Sequence, residues 1–145
     1  MAKIVLKGRP IIGGLAEGTA LVSSEQVVWS HGVDPWKGVI DDSKSKLNGV
    51  SIKDKVFVYP YGKGSTSSST WILETVRCKN APCAIINKET ELIISAGFLY
   101  GQLLYDAHIP VVDSLDQDPI RLIKTGDFVK VDGYNGIVEI YKNAE

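Results

Sequence analysis

The segment GKGSTSSST, residues 62–70, combines two glycines and one lysine with six consecutive hydroxyl side chains. An apolar stretch typical of a β-strand ends just before it, and the spacing of apolar residues predicts a helix over residues 68–77. The hydroxyls should therefore lie at a helix N-terminus, where unpaired backbone N–H groups and the helix dipole attract negative charge. Gly62 and Gly64 let the backbone approach a ligand closely, and Lys63 adds a positive charge.

Three kinds of chemistry fit hydroxyls at that position. A serine can cap the helix, which stabilises it by about 1 kcal/mol, it can bind an anionic ligand, or it can act as a base in its alkoxide form. The last role needs a neighbouring cation or a metal-bound substrate, because the dipole alone leaves the hydroxyl protonated at neutral pH. The segment is neither common phosphate-binding loop, since Lys63 precedes Gly64 and Ser67 replaces the third glycine of G-x-G-x-x-G. The residues alone leave ligand binding and a plainly capped helix both open.

The elements around this segment predict a mixed α/β domain. The succession strand, loop, helix, strand, helix, strand and hairpin favours a sheet with a partly parallel centre and flanking helices. Lys3–Ile12 and Glu17–Ser23 are predicted to be strands that form a hairpin or lie side by side, and residues 30–49 a long loop. Residues 126–141 predict a C-terminal β-hairpin, because two alternating runs flank Asp-Gly and Asn-Gly. The remaining predictions are buried strands in residues 81–87 and 109–113 and a mostly helical region in residues 89–108.

Length and composition exclude several classes of protein. A chain of 145 residues fits one domain, spanning 1–145, and 44% hydrophobic residues is ordinary for a globular fold. The formal net charge is −1 and the basic residues are spread along the chain, so we expect no nucleic-acid partner and no membrane surface. No apolar run approaches the ~18 residues of a membrane helix, and charged residues interrupt any signal-peptide core. We therefore expect a cytoplasmic protein.

Two cysteines, Cys78 and Cys83, agree with a reducing compartment. Two thiols without a nearby histidine make half a zinc or iron-sulfur site at best. They are predicted to be small apolar fillers around a helix end, and no metal ligands are assigned to this chain.

Four segments together resemble a known family. The chain from about residue 32 to 113 is similar, in order, to the small subunit of the aconitase X family, and the K-G-S-[ST]-S core is its most specific motif. The similar segments are VDPWKGVIDD (33–42), SIKDKVFVYPYGKGSTSSSTWILETV (51–76), APCAIINKETELIISAGFLYG (81–101) and IPVVD (109–113).

The resemblance implies a swivelling β/β/α domain that closes over an active site built mainly by a larger subunit. The reaction would be removal of water from a β-hydroxy acid. A [4Fe-4S] cluster, held by the large subunit and not by this chain, would bind the leaving hydroxyl, and a serine alkoxide would take the proton. By the family motif the catalytic serine is Ser65, and Lys63, Gly64, Thr66 and Ser67 would line the substrate.

The substrate is a separate question. Of the substrates that the family resemblance implies, we expect (R)-5-phosphomevalonate first, which would give trans-anhydromevalonate 5-phosphate in archaeal isoprenoid synthesis. The alternative is another hydroxy acid such as cis-3-hydroxyproline. Family members often carry a His-Pro pair before the strand that leads to the serine loop, and residues 41–52 lack it. That departure bears on substrate identity more than on reaction class.

Two competing functions need other chemistry. The C-terminal segment TGDFVKVDGYNGIVEI resembles the swivelling phosphohistidine domain of phosphoenolpyruvate-utilising enzymes, which needs a histidine in its glycine-rich loop, where this chain has serines. A pure binding domain would grip an anion at the same loop and do no chemistry. His31 and His108 share no metal-ligand spacing, Asp34, Asp41 and Asp42 are predicted turn residues, and Trp36 is predicted to face a partner subunit.

Overall fold

The computed structural model describes residues 3–143, and its centre is an eight-stranded mixed sheet. The strand order across the sheet is β1-β12-β11-β3-β7-β9-β10-β2. The strands are β1 (Lys3–Lys7), β2 (Arg9–Ile12), β3 (Leu15–Val22), β4 (Val27–Val28), β5 (Val33–Asp34), β6 (Val39–Ile40), β7 (Val56–Tyr59), β8 (Gly62–Lys63), β9 (Ala84–Asn87), β10 (Val111–Asp113), β11 (Phe128–Asp132) and β12 (Ile137–Tyr141). The helices are α1 (Ser68–Arg77), α2 (Leu92–Tyr105) and α3 (Pro119–Leu122).

The centre of the sheet is parallel, as the order of the elements predicts. Strands β3, β7, β9 and β10 run in the same direction, and the C-terminal hairpin β11–β12 adds antiparallel strands beside β3. All residues of β7 and β9 are buried, because apolar clusters cover both faces of the sheet; α1 and α2, which connect the parallel strands, cover one of these faces. The fold class predicted from the sequence, a mixed sheet with flanking helices and a C-terminal hairpin, is confirmed. That residues 1–145 form one domain stays a prediction.

The N-terminal strands differ from the prediction. Residues 3–12 form two strands, and neither pairs with β3: β1 pairs with β12 and β2 pairs with β10, at opposite edges of the sheet. The chain divides at Gly8, where an added Cβ would lie 2.4 Å from the Asp113 carbonyl oxygen. The predicted hairpin is therefore wrong, because β1 pairs with β12 and β2 with β10, and both partner strands lie near the other end of the chain, beyond the reach of a local pattern.

Successive side chains of the central strands point alternately into two apolar clusters, one on each face of the sheet. One face contributes Phe57, Tyr59 and Ile85 to a cluster with the helix residues Ile72 and Phe98. The second cluster lies on the other face and joins the central strands to β1, the hairpin strands and α3. Its buried residues include Leu6, Val56, Val58, Ala84, Ile86, Val112, Ile123, Val129 and Val138. The parallel centre is thus buried on both sides, which fixes the end of β7 from which the serine segment starts.

Helices α1 and α2 cross closely because two glycines of α2 face α1. A Cβ on Gly97 would lie 2.9 Å from the Ile72 Cβ, and one on Gly101 would lie 3.1 Å from a methyl of Val76. This crossing holds α1, and so its N-terminus, in a fixed position on the sheet. Within residues 3–143 no helix has the length and apolar character required to cross a bilayer. The four-residue α3, whose N-terminus is capped by the Asp118 carboxylate, was not predicted.

Candidate active site

The serine segment lies between β7 and α1, at the carboxyl end of a buried parallel strand. After Tyr59 the chain forms the two-residue strand β8, which pairs in parallel with β4, so that Val27 lies opposite Gly62 and Val28 opposite Lys63. Helix α1 then begins at Ser68, as its apolar spacing predicts. The pairing of β8 with β4 brings residues 29–31 beside the loop, although more than thirty positions separate them in the sequence.

Two glycines shape the loop. A Cβ on Gly62 would lie 2.7 Å from a side-chain carbon of Ile94 in α2, so only glycine lets β8 pass that helix. Gly64 has φ +124°, a conformation that other residues adopt only with strain. The loop therefore needs both glycines for steric reasons before any ligand is considered.

We expect Gly64→Ala to lower both stability and turnover. The positive φ makes a Cβ cost about 1–3 kcal/mol, and relief of that strain would move the adjacent Ser65. Urea denaturation should show the lower stability, and kcat of the two-subunit dehydratase that the family resemblance implies should fall about tenfold. Gly126→Ala, at φ +99° before the C-terminal hairpin, is the matched control that should lose stability and keep kcat. Equal kcat losses in the two variants would contradict a role for the loop's conformation.

The structure places Ser65 and Ser67 together at the start of α1. Ser65 is exposed, and its Oγ lies 2.5 Å from Ser67 Oγ and accepts from the Ser67 backbone N–H at 3.3 Å. Ser67 occupies the N-cap position, yet its side chain does not cap the helix. This arrangement does not support the plainly capped helix as the explanation of Ser67, whose hydroxyl is turned toward other hydroxyls.

A second pair of residues, not predicted from the sequence, joins these serines. Ser67 Oγ lies 2.7 Å from Ser30 Oγ, which lies 3.0 Å from His31 Nδ1. The imidazole of His31 packs on the indole of Trp71, with ring centroids 4.5 Å apart. No local pattern marks Ser30 or His31, because the pairing of β4 with β8 brings them to the loop.

An open groove of about 740 Å³ runs beside the loop. Among residues 3–143 the ammonium of Lys63, which is exposed, forms no ion pair, so it is available to an anionic ligand. The charged residues that line the groove with it are Glu25, Asp41, Asp42 and Lys44, and His31 also faces it.

The residues beneath the loop are structural. Trp29 is fully buried and its Nε1 donates to the Tyr59 hydroxyl at 2.9 Å, while Asn87 Nδ2 donates to the Tyr59 carbonyl. Burial raises the pKa of Tyr59 to about 12, in spite of hydrogen bonds from Trp29 and Asn87 that lower it. Tyr59 therefore stays protonated, and as the buried last residue of β7 it anchors the strand from which the serine loop starts.

Within residues 3–143 the cysteines and carboxylates do not assemble into a metal site. Across the described part of the chain no group of three or more His, Cys, Asp or Glu side chains could hold a metal ion. Cys78 is the C-cap of α1, as expected for a filler at a helix end, and Cys83 is a free, half-buried thiol whose pKa burial raises to about 11. The described residues of this chain do not fit a [4Fe-4S] cluster, which takes cysteine thiolates as ligands.

Several other predicted residues have local roles. Asp34 accepts from the backbone N–H groups of Trp36 and Lys37, and Asp42 accepts from that of Lys44, so both close turns. His108 lies past the end of α2 and pairs with Asp106 at 2.7 Å.

A family model described as the aconitase X swivel domain matches residues 5–140 of this chain. The chain belongs to the aconitase X swivel-domain family. The resemblance inferred from four segments is thereby confirmed. The match runs from the first strand of the chain, β1, to the last, β12. The chain is also 41% identical over 145 residues to the phosphomevalonate dehydratase small subunit of Methanosarcina mazei, covering 100% of this chain and 96% of that protein.

Solved structures agree with the family and its fold. Aconitase X of Thermococcus kodakaraensis, in its holo-form, superposes with a TM-score of 0.86 at 40% identity, covering 96% of this chain and 99% of that one. A 3-isopropylmalate dehydratase of Methanocaldococcus jannaschii superposes with a TM-score of 0.51 at 16% identity, covering 90% and 85% of the two chains, and shares the fold.

Proposed function

We propose that this chain is the small subunit of a phosphomevalonate dehydratase, a hydro-lyase that converts (R)-5-phosphomevalonate to trans-anhydromevalonate 5-phosphate. Full-length identity near 40% to archaeal proteins of that name supports the proposal. The fold, the intact glycine-serine loop and the groove beside it are consistent with one half of a substrate site. The test is to co-express the chain with its large subunit and measure loss of (R)-5-phosphomevalonate.

Within that reaction we assign the base to Ser65. Its hydroxyl is exposed, stands at the N-terminus of a ten-residue helix and follows a glycine with positive φ. Backbone N–H groups and the dipole of α1 favour negative charge there, and the nearby Lys63 adds to that effect. The Ser65 alkoxide would take the proton from the carbon beside the leaving hydroxyl, and Gly64, Thr66 and Ser67 would line the substrate.

The metal chemistry would come from the partner. Because the described residues offer no ligand set, we propose that a [4Fe-4S] cluster is held by the large subunit, where it would act as a Lewis acid toward the leaving hydroxyl. The relatives' name, small subunit, implies a larger partner. This chain alone should therefore be inactive, and dehydration by the purified chain alone would contradict the assignment.

The surface also fits a protein that assembles with a partner. Three leucines of α2 are strongly exposed, Leu92 at 86%, Leu103 at 69% and Leu104 at 64%. Trp36, predicted to face the partner, is 69% exposed and its Nε1 donates to Glu74 at 3.2 Å. Contiguous exposed apolar surface marks interaction sites in soluble proteins, and Leu103 and Leu104 are neighbours at the end of α2. The free thiols further support the cytoplasm as the compartment.

Lys63 should affect substrate binding more than turnover. Lys63 lines the groove, precedes Ser65 by two residues and forms no ion pair among the described residues, so its ammonium can bind a phosphate or carboxylate of the substrate. We expect Lys63→Ala to raise KM about tenfold, equivalent to the loss of one charged contact, and to change kcat less. Lys130→Ala on β11 removes the same charge outside the groove and should leave KM unchanged. A normal KM in Lys63→Ala would contradict the binding role.

The substrate can be tested with the same preparation. Rates on (R)-5-phosphomevalonate and on cis-3-hydroxyproline distinguish the first choice from the alternative. A higher kcat/KM on the second compound would keep the reaction class and overturn the proposed substrate.

A further inference from the structure

A continuous line of hydrogen bonds leads from Ser65 to an imidazole. Ser65 Oγ lies 2.5 Å from Ser67 Oγ, Ser67 Oγ lies 2.7 Å from Ser30 Oγ, and Ser30 Oγ lies 3.0 Å from His31 Nδ1. All three distances are within hydrogen-bonding range for hydroxyl donors. We propose that Ser67 and Ser30 relay the proton of Ser65 to His31, which makes His31 a positioning residue for the base.

The local structure holds each member of the relay in place. Ser67 is at the N-cap of α1, yet its hydroxyl makes no capping bond to the helix. It lies instead within hydrogen-bonding distance of the hydroxyls of Ser65 and Ser30. The imidazole of His31 is held against Trp71, whose own Nε1 donates to the Val33 carbonyl. The hydroxyls are thus oriented along one line by two elements, β4 with its following turn and the start of α1.

The backbone at His31 has a left-handed conformation, and in this conformation Nδ1 lies within hydrogen-bonding distance of Ser30. His31 has φ +67°, and an added Cβ on the next residue, Gly32, would lie 2.1 Å from the Val28 carbonyl oxygen. The chain therefore turns back sharply on itself, and a residue other than glycine occupies the left-handed conformation. Such conformations cost energy and concentrate at functional sites. Here the turn directs Nδ1 toward Ser30, while the exposed ring also borders the groove.

The relay balances protons and charge through one turnover. Ser65 passes its proton to Ser67 Oγ, the proton of Ser67 passes to Ser30 Oγ, and that of Ser30 passes to His31 Nδ1, with Nε2 already protonated. Ser65 becomes an alkoxide and His31 an imidazolium. The alkoxide then takes the substrate's C–H proton, the electron pair forms the C=C bond, and the C–O bond breaks to release hydroxide. The imidazolium releases its proton through the groove to solvent, so one proton and one hydroxide leave as water.

This inference rests on the proposed role of Ser65 and can be separated from it by experiment. His31→Asn keeps a side chain that tolerates positive φ and can accept from Ser30, but it cannot take up a proton. In the complex with the large subunit we expect kcat to fall about 30-fold with KM within about twofold. His108→Asn, a second exposed histidine outside the relay, is the matched control and should keep wild-type kinetics.

Two further measurements exclude a merely structural role. His31→Gly tolerates the backbone conformation and leaves space beside Ser30, so added imidazole should restore kcat at least about fivefold. Ser67→Ala interrupts the same line, so its loss of kcat should not add to that of His31→Asn in the double variant. The primary isotope effect on substrate deuterated at the proton-losing carbon should also rise in His31→Asn, because proton transfer becomes slower.

Distinct results would overturn the relay and the base. Wild-type kcat in His31→Asn, absence of imidazole rescue, or additive losses in the double variant would each reject the relay. If Ser65→Ala is then still inactive, the proposed base stands without it. Activity in Ser65→Ala would reject the base itself. Co-purification of each variant with the large subunit, and its unfolding midpoint in urea, identify a variant that failed to fold; Ser30→Ala then provides a second interruption of the line.

Discussion

Ser65→Ala should lower kcat of the assembled enzyme about 1,000-fold and change KM less than about threefold. The methyl group keeps the backbone and the fit of the loop but cannot accept the proton from substrate. The Ser65 hydroxyl is exposed, and among the described residues it forms hydrogen bonds only with Ser67, so stability should change little. The measurement is steady-state dehydration of (R)-5-phosphomevalonate by the complex with the large subunit.

A serine of the same run provides the control for Ser65. Ser69 Oγ donates to the Ile93 carbonyl and so joins α1 to the first turn of α2. Ser69→Ala should lose about 1 kcal/mol of stability through that bond and keep a kcat within about twofold of wild type. A Ser65→Ala enzyme that retains a rate close to wild type would leave the loop as a binding element without chemistry.

Asp113→Asn should lower the free energy of unfolding by about 3 kcal/mol, the largest stability effect we expect of a single neutralised carboxylate. Asp113 is fully buried, and Arg9 donates to its two oxygens from Nε and Nη2, each at 2.8 Å. The backbone N–H of Thr90 donates to Oδ2 at 2.7 Å. In either orientation an asparagine would turn an N–H₂ group toward at least one of these donors. Urea denaturation at neutral pH measures the loss.

The pH dependence of that loss follows from the pKa of Asp113. Burial by itself raises this pKa, but the hydrogen bonds from Arg9 and Thr90, the Arg9 charge and a hydrogen bond with Ser114 together lower it. The folded pKa is thus below the ordinary value of about 3.9, so the carboxylate stabilises the fold above that value. The contribution disappears as pH falls through the folded pKa. The difference between wild type and Asp113→Asn should shrink below about pH 4.

Glu139→Gln is the matched neutralisation on the surface. Glu139 pairs with Lys3 at 3.5 Å with both side chains partly exposed, and such pairs contribute less than about 1 kcal/mol. Equal losses from Asp113→Asn and Glu139→Gln would show that burial of the Asp113 carboxylate adds nothing to the stabilisation that its pairing with the exposed Arg9 provides. The comparison matters because this pair secures the edge of the sheet that β2 occupies.

Local patterns in the sequence predicted the elements that depend on neighbouring residues. Helix α1 begins at Ser68 and ends at Arg77, as its apolar spacing indicates, and the C-terminal hairpin forms around its Asp-Gly and Asn-Gly pairs. The glycine-serine motif and three other segments were enough to recognise the family. The helix and the hairpin can be predicted from the sequence because helical period, strand alternation and turn chemistry depend on residues that are close together in the chain.

Only the tertiary structure decided the contacts between distant segments. Residues 3–12 divide into strands at opposite edges of the sheet, where β1 pairs with the C-terminal β12. Arg9 pairs with buried Asp113, 104 residues away, and Ser30 contacts Ser67, 37 residues away. Sheet pairing and burial fix such contacts, and neither is encoded in the spacing of nearby residues. The sequence therefore identified the serine loop, and the fold supplied its neighbours.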